Sequence, residues 1–284
     1  MTLSRRSYPS FLLSGTSQAI DAAICALFEG GCLGTETIEG TFNQRAYFPP
    51  GTDLGALTGK LRRDFPDLHL GPMTMVPEDD WLALWRKDLS GFALGERFFV
   101  SPSWESAPET GRVVLRIDPQ QAFGTGTHDT TRLCLELLEA CARPGQGAID
   151  VGTGTGILAM AAAALGCQPV LGIEIDPAAA RCARANVKRN QLESRVEILT
   201  GSLADAKTAP ADLVLANLQR PLLDREIPRL ATWLEPGGHL ILSGITVEDI
   251  EDLADILAGL PRPMPILRNY TAGTWAALLA RSSA

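Results

Sequence analysis

From about residue 128 onward the chain alternates between short apolar runs and longer amphipathic segments, and this alternation limits the fold more than any other feature. The periodicity predicts a helix over 128–141, a strand ending in Ala148-Ile149-Asp150-Val151, a helix over 156–165 and a strand over 169–175. A helix over 177–190 and strands over 195–199 and 211–216 follow, then a helix over 221–233, a strand over 238–243 and a helix over 246–258. Strands separated by helices cannot close as hairpins, so they build a mostly parallel sheet covered on both faces. The end of the chain departs from the pattern. Residues 264–270 and 273–280 are strand candidates with little between them, which predicts a terminal antiparallel hairpin. The fold class expected is therefore α/β.

The first hundred residues read differently. A strand is expected over 9–16, followed by a helix over 17–29 with Ile20, Ile24, Leu27 and Phe28 on one side. Gly30 and Gly31 stop that helix, strands follow near 34–40 and 42–48, and a second helix covers 52–64. This describes a small α+β unit of two β-α-β halves. Residues 78–104 hold Trp81, Trp85, Phe92, Phe98, Phe99 and Trp104, read as core with a short strand at 97–100; a binding surface is the alternative. Residues 105–111 read as loop and 112–117 as a strand. The domain organisation expected is a small unit over 1–75, a linker region over 76–110 and a large α/β domain over 111–284.

Of the 284 residues, 45% are hydrophobic and 20% charged, enough apolar material for a sizeable core. The formal net charge of -8 argues against nonspecific duplex binding, so no direct nucleic-acid requirement is expected. It is compatible with a basic protein partner. Cys25, Cys32, Cys134, Cys141, Cys167 and Cys182 are scattered without CxxC spacing or an accompanying His cluster, so reduced thiols and no metal site are expected. The opening Met1-Thr2-Leu3-Ser4-Arg5-Arg6 leads into no sustained apolar stretch, and later apolar runs break before membrane-spanning length. A cytoplasmic protein without membrane attachment is expected.

Asp150-Val151-Gly152-Thr153-Gly154-Thr155-Gly156 joins a predicted strand to a predicted helix. Glycines there permit a tight turn and let a ligand approach backbone, while the helix start presents unpaired amide donors. A dinucleotide fingerprint beginning at Gly152 would need Gly at 157, where Ile157 stands, and no Gly-Lys-Ser/Thr follows to make a Walker A loop. At the end of the next strand, in Gly172-Ile173-Glu174-Ile175-Asp176-Pro177, Glu174 is placed to accept from both hydroxyls of a ribose. Asp176 before Pro177 reads mainly as a helix cap.

The Asp-x-Gly-x-Gly-x-Gly turn with an acidic end to the next strand resembles the Rossmann-like methyltransferases. Phe123-Gly124-Thr125-Gly126-Thr127-His128-Asp129-Thr130-Thr131, the run from Gly172 to Asn190, and Ala216-Asn217-Leu218 resemble one family, the ribosomal protein L11 methyltransferases. The likeness is strong over about 97–245 and weak over the first 75 residues. It implies a seven-stranded Rossmann-like methyltransferase sheet with S-adenosyl-L-methionine as cofactor. It also implies an N-terminal domain that recognises ribosomal protein L11, and methylation of its lysine or N-terminal amines. Another protein lysine or a small amine is the alternative substrate.

By the same resemblance Phe123, Gly124, Thr125, Gly126, Thr127 and His128 close over the cofactor. Asp150, Gly152 and Gly154 match the methionine-side motif, Glu174 the ribose acid, and Asn217 the residue beside the transferable methyl. Each also has a plainer reading: Phe123 as core, Thr125 and Thr127 as turn donors, His128 as a cap or positioning hydrogen bonder, and Asn217 as the cap of the next helix. Trp275 reads as packing. The family usually has Pro where Asp129 stands, and after Ala-Asn it usually has Ile-Leu and then small residues before Pro-Leu, where this chain has Leu218-Gln219-Arg220-Pro221-Leu222; Gln219 and Arg220 fall at the mouth of the expected site and bear on substrate choice.

Overall fold

The computed structural model describes residues 7–16, 19–20, 23–24, 26–27, 30–38, 41–77, 90–106, 111–118, 124–204, 206 and 208–283. The chain divides into two compact units, Met1–Leu89 and Ser90–Ala284, so the division falls inside the stretch read above as a linker.

The first unit contains β1 (Ser7–Ser14), β2 (Gly34–Thr37), β3 (Gln44–Tyr47), α1 (Leu54–Asp64), β4 (His69–Leu70) and β5 (Thr74–Pro77). Its sheet runs β2-β3-β1-β4 with β5 also on β1, and each pairing is antiparallel. This order interleaves two β-α-β halves, because β3 separates β1 from β2 and β1 separates β3 from β4. Residues 19–20, 23–24 and 26–27 are helical, and the rest of the predicted 17–29 helix lies outside the described residues, as do Trp81 and Trp85. Phe11 and Leu13 of β1 are buried with Ile20, Leu27, Leu57 and Leu61, so the helical residues cover one sheet face. Asp53 starts α1 by accepting from Gly55 N–H and Ala56 N–H at 3.1 and 3.2 Å. Strands β4 and β5 have no counterpart in the sequence reading. They are short and largely exposed, and pairing to β1, not an apolar pattern of their own, makes them strands.

The second unit opens with a small sheet, β6 (Phe92–Leu94), β7 (Phe98–Ser101) and β8 (Val113–Arg116), in that order. Then come α2 (Asp129–Cys141), β9 (Ala148–Val151), α3 (Ile157–Ala164), β10 (Val170–Glu174), α4 (Pro177–Arg189), β11 (Val196–Thr200) and β12 (Ala211–Asn217). After them stand α5 (Arg220–Thr232), β13 (Leu234–Thr246), a 3-10 turn (Val247–Asp249), α6 (Ile250–Ala258), β14 (Ile266–Ala272) and β15 (Trp275–Arg281). The seven strands β9–β15 form one sheet ordered β11-β10-β9-β12-β13-β15-β14. The first five strands in this order are parallel; β15 pairs antiparallel with both β13 and β14.

Period-two alternation along β12 explains why both faces are covered. Leu213 and Leu215 join a cluster with residues of α2, α3 and α4, while Val214 and Ala216 join one with residues of α5 and α6. Each fully buried Leu contributes about 1.5–3 kcal/mol. Helix α3 is Ala-rich and buried from Ile157 through Ala163, so small side chains let it lie close against the sheet. Two predicted boundaries move. Strand β13 starts at Leu234, well before 238, and the predicted 246–258 helix opens as a 3-10 turn. That turn is set by Asp249, whose carboxylate accepts from Thr246 N–H and the Thr246 hydroxyl.

Two asparagines one turn apart, Asn186 on α4 and Asn190 at its C-terminal cap, replace a strand partner for the chain leaving β8. Asn190 accepts from Arg116 N–H and donates to Arg116 C=O, both at 2.8 Å. Asn186 does the same for Asp118, at 3.0 and 3.3 Å, and also donates to Thr155 C=O in the glycine turn at 3.0 Å. Asn186 is fully buried, so removing its amide takes the side-chain partner from Asp118 N–H and Thr155 C=O and leaves Asp118 C=O only the Cys182 thiol at 3.2 Å. We expect Asn186→Ala to destabilise the second unit by about 2–4 kcal/mol, read as a lower urea midpoint for that unit. An unchanged midpoint would show that the three backbone groups find other partners.

Candidate active site

The order of the large sheet reverses direction at β9. From β9 the chain steps outward through β10 to β11, then returns to the other side of β9 as β12. Crevices at such a point, beyond the carboxyl ends of the strands, are where open parallel sheets bind ligands. Pairing is in register there: Val151 lies opposite Ile173 on one side and Ala216 on the other. The next residues, Gly152, Glu174 and Asn217, therefore emerge side by side.

Gly152, Gly154 and Gly156 hold φ at 67°, 55° and 84°, a region side chains disfavour, so the turn requires glycine. A Cβ on Gly152 would lie 2.5 Å from the Leu218 side chain. Asp150 sits beneath the turn and is 1% exposed. Its Oδ2 accepts from the Thr153 hydroxyl and from Ala159 N–H, binding the turn to the first residues of α3. Its Oδ1 is buried and has no hydrogen-bond partner among the described residues. Burial pushes the Asp150 carboxyl up to about 6, against the lowering effect of its two hydrogen bonds.

Glu174 is nearly buried at the end of β10. Oε2 accepts from Gly154 N–H at 2.9 Å and Oε1 from Asp176 N–H at 3.0 Å. These bonds fix the carboxylate and leave each oxygen a further lone pair for a ligand hydroxyl. Asp176 caps α4 through Ala178 N–H and Ala179 N–H, as its place before Pro177 predicts.

The Gly124–His128 stretch is tied to this turn. The Thr155 hydroxyl donates to Gly124 C=O. The Thr125 and Thr127 hydroxyls hydrogen-bond each other at 2.6 Å, and Thr127 N–H donates to Thr125 Oγ1. Gly126 packs among Ile157, Leu94 and Phe92. Phe123 lies outside the described residues. His128 caps α2: its Nδ1 accepts from Thr130 N–H at 3.3 Å and lies 2.7 Å from Thr130 Oγ1. Burial lowers the His128 pKa, which favours the neutral ring. The Trp275 ring meets the imidazole edge-on with centroids 5.0 Å apart.

Asn217 is half-buried at the end of β12, and its Nδ2 points at the Thr130 and Thr131 hydroxyls, at 3.3 and 3.5 Å. Thr130 and Thr131, both 1% exposed, were not assigned roles from the sequence, and Trp275 was read only as packing. Thr130 sits within the stretch already singled out; the signal missed was a hydroxyl two residues after a capping histidine. Nothing local in the sequence points from Trp275 to His128. Gln219 is exposed, whereas Arg220 pairs with Asp224 at 2.6 Å and Asp249 at 2.8 Å, with Asp252 at 3.7 Å. Arg220 thus ties the start of α5 to the turn after β13.

The buried acid at the end of β10, the glycine turn with its orphaned Asp150 oxygen, and the amide at the end of β12 fit an adenosyl cofactor carrying an amino acid. On this fold they define an S-adenosylmethionine-dependent methyltransferase. The profile of the family described as Ribosomal protein L11 methyltransferase (PrmA) matches residues 15–282. The chain is similar to the ribosomal protein L11 methyltransferase of Pelotomaculum thermopropionicum, 40% identical over 87% of this chain and 82% of that protein. The one from Geobacter sulfurreducens is 37% identical over 95% of this chain and 91% of that protein. Among solved structures, ribosomal protein L11 methylase from Lactobacillus delbrueckii subsp. bulgaricus superposes with a TM-score of 0.64 at 29% identity, covering 69% of this chain and all (100%) of that one. The chain belongs to the ribosomal protein L11 methyltransferase family.

Asp150 makes a pH prediction. Its folded pKa of about 6 lies above the ordinary carboxyl value near ~3.9, so the folded state binds the proton more tightly than the unfolded state. The contribution of Asp150 to stability then falls as pH rises from about 4 through about 6, by up to about 3 kcal/mol. Urea unfolding across this range should show wild type losing stability relative to Asp150→Asn, which cannot ionise. A pH-independent difference would mean that Asp150 is ionised throughout.

Proposed function

We propose that this protein transfers methyl groups from S-adenosylmethionine to amino groups of ribosomal protein L11, lysine ε-amines or the N-terminal amine, in the cytoplasm. The observation that carries the reading is the register that sets Asn217 beside the Gly152 turn, with the amide nitrogen already engaged by Thr130 and Thr131. The carbonyl end of the amide is thereby left for the acceptor. We read the large sheet as the Rossmann-like methyltransferase sheet, residues 1–75 as the part that recognises the protein substrate, and 111–284 as the catalytic domain. Five of the six cysteines are free, buried thiols, which suits a reducing compartment. Among the described residues no helix is long and apolar enough to cross a membrane.

In this reading Glu174 accepts from the ribose hydroxyls, Gly152 and Gly154 admit the methionine portion, and Gly124 through His128, with Phe123, cover the cofactor. The cofactor's sulfonium supplies a methyl group that is already activated. The protein must then receive an amine with its lone pair free, and an unperturbed lysine near pKa ~10.4 is mostly protonated at neutral pH. Desolvation at a half-buried site lowers that value. Asn217 Oδ1 accepts an amine N–H, orienting the nitrogen and stabilising the positive charge that grows on it. An amide is not a competent base, so the proton leaves to water. Exposed Gln219 favours a second reading, in which another protein amine or a small amine is the acceptor.

Intact-protein mass spectrometry of purified L11 incubated with this enzyme and S-adenosylmethionine should show steps of ~14 mass units, and Asn217→Ala should slow them about 10²-fold while affecting cofactor affinity far less. Equal losses in both would remove the catalytic role of Asn217; cofactor binding without L11 methylation would favour the second reading. Calorimetric titration should find S-adenosylmethionine bound about 10–100-fold more weakly by Glu174→Gln, the worth of a hydrogen bond to a charged group. Unchanged affinity would place the ribose elsewhere.

A further inference from the structure

The side-chain amide of asparagine has nearly the same shape when flipped, so a site that uses its carbonyl must prevent the amino end from taking its place. A flipped Asn217 would present N–H donors to an incoming amine and could accept nothing from it. The surroundings of Asn217 bear on this choice. Thr130 N–H can only donate, so its contact with His128 Nδ1 makes that nitrogen an acceptor. Nδ1 therefore carries no proton, and its contact with Thr130 Oγ1 at 2.7 Å is a hydrogen bond in which the hydroxyl donates. The single hydroxyl proton of Thr130 is thus committed to His128. Only lone pairs remain on Oγ1, and they face Asn217 at 3.3 Å. A lone pair there accepts from Nδ2 and repels Oδ1.

We propose that Thr130 is a positioning residue for methyl transfer: by passing its proton to His128 it becomes an obligate acceptor that holds the Asn217 carbonyl toward the reacting amine. The chain of donation runs from Asn217 Nδ2–H to Thr130 Oγ1 and from Thr130 Oγ1–H to His128 Nδ1. Partial burial of the His128 ring favours the neutral form this requires. The edge-on Trp275 ring limits rotation of the imidazole that terminates the chain. Thr131, at 3.5 Å from the same Nδ2, adds a weaker contact on the same end of the amide. Histidine at a helix cap and threonine two residues later are read locally as capping chemistry. The sheet adds the third member from 87 residues away in sequence.

The inference rests on the proposed use of Asn217, and its test separates the two. Thr130→Val removes the hydroxyl at constant volume, Thr130→Ala removes it with less bulk, and Thr130→Ser restores it. With L11 as acceptor, the valine variant should lose about tenfold or more in kcat while its affinity for S-adenosylmethionine stays within about threefold, and serine should recover most of the rate. Combined with Asn217→Ala, the valine substitution should add little further loss, because both act through one amide. Wild-type kcat in the valine and alanine variants, or independent losses in the double variant, would overturn the inference while leaving Asn217 in place. A wild-type rate for Asn217→Ala would remove both. The side-chain amide resonances of Asn217 give a readout without substrate: exchange of the Nδ2 protons with water should be slow in wild type and Thr130→Ser, and at least about tenfold faster without the hydroxyl. If L11 takes up no methyl groups, the L11 reading fails, and the amide exchange alone decides the inference. Equal exchange in all variants overturns it.

Discussion

In-register pairing of Val151 with Ile173 and Ala216 is the constraint on which the rest of the site depends. Side chains alternate along a strand, so a slip of one residue in β12 would send Asn217 into the core and bring its neighbour to the site. The register is held by apolar alternation, since Leu213 and Leu215 have one face to fill and Val214 and Ala216 the other. Two hydrophobic cores thereby decide which polar side chains meet at the strand ends.

Polar groups under the site are buried as connected pairs. Thr155 reaches Gly124, Asn186 reaches both Asp118 and Thr155, and Asp150 reaches Thr153 and Ala159. Each bond offsets the desolvation of its two ends, and each spans elements that would otherwise be independent. The result is that these hydrogen bonds place the glycine turn, the start of α3 and the Gly124–His128 stretch with respect to one another. The Oδ1 of Asp150 is the exception among the described residues, and burial of that carboxyl raises its pKa.

The rim of the site is shaped by charge. Arg220 and Gln219 are adjacent, but the fold treats them oppositely. Arg220 meets Asp249 from a turn 29 positions later and closes the gap between α5 and the end of β13, while Gln219 is left facing solvent. A glycine at 244, with φ of 83°, makes this possible: a Cβ there would lie 2.2 Å from Leu218 C=O. Gln219 is exposed, and the Arg220 guanidinium serves the architecture.

Much was legible in the sequence because it is local. Hydrophobic period separates strands from helices, glycine spacing marks the turn after β9, and Asp before Pro marks the start of α4; each depends on residues within one or two turns. The strand order, in which β15 inserts between β13 and β14, and the exposed strands β4 and β5 were not legible, because edge pairing is chosen by the partner strand. Nor were the contacts of Thr130 with Asn217, of Trp275 with His128, or of Asn186 with Thr155. The sequence alone determined the class of fold and which residue types stand at each strand end, since short-range chemistry suffices for both. Tertiary structure alone decided which of those residues face one another and which way their donors point, because hydrogen bonds between distant residues exist only after the sheet has set its register.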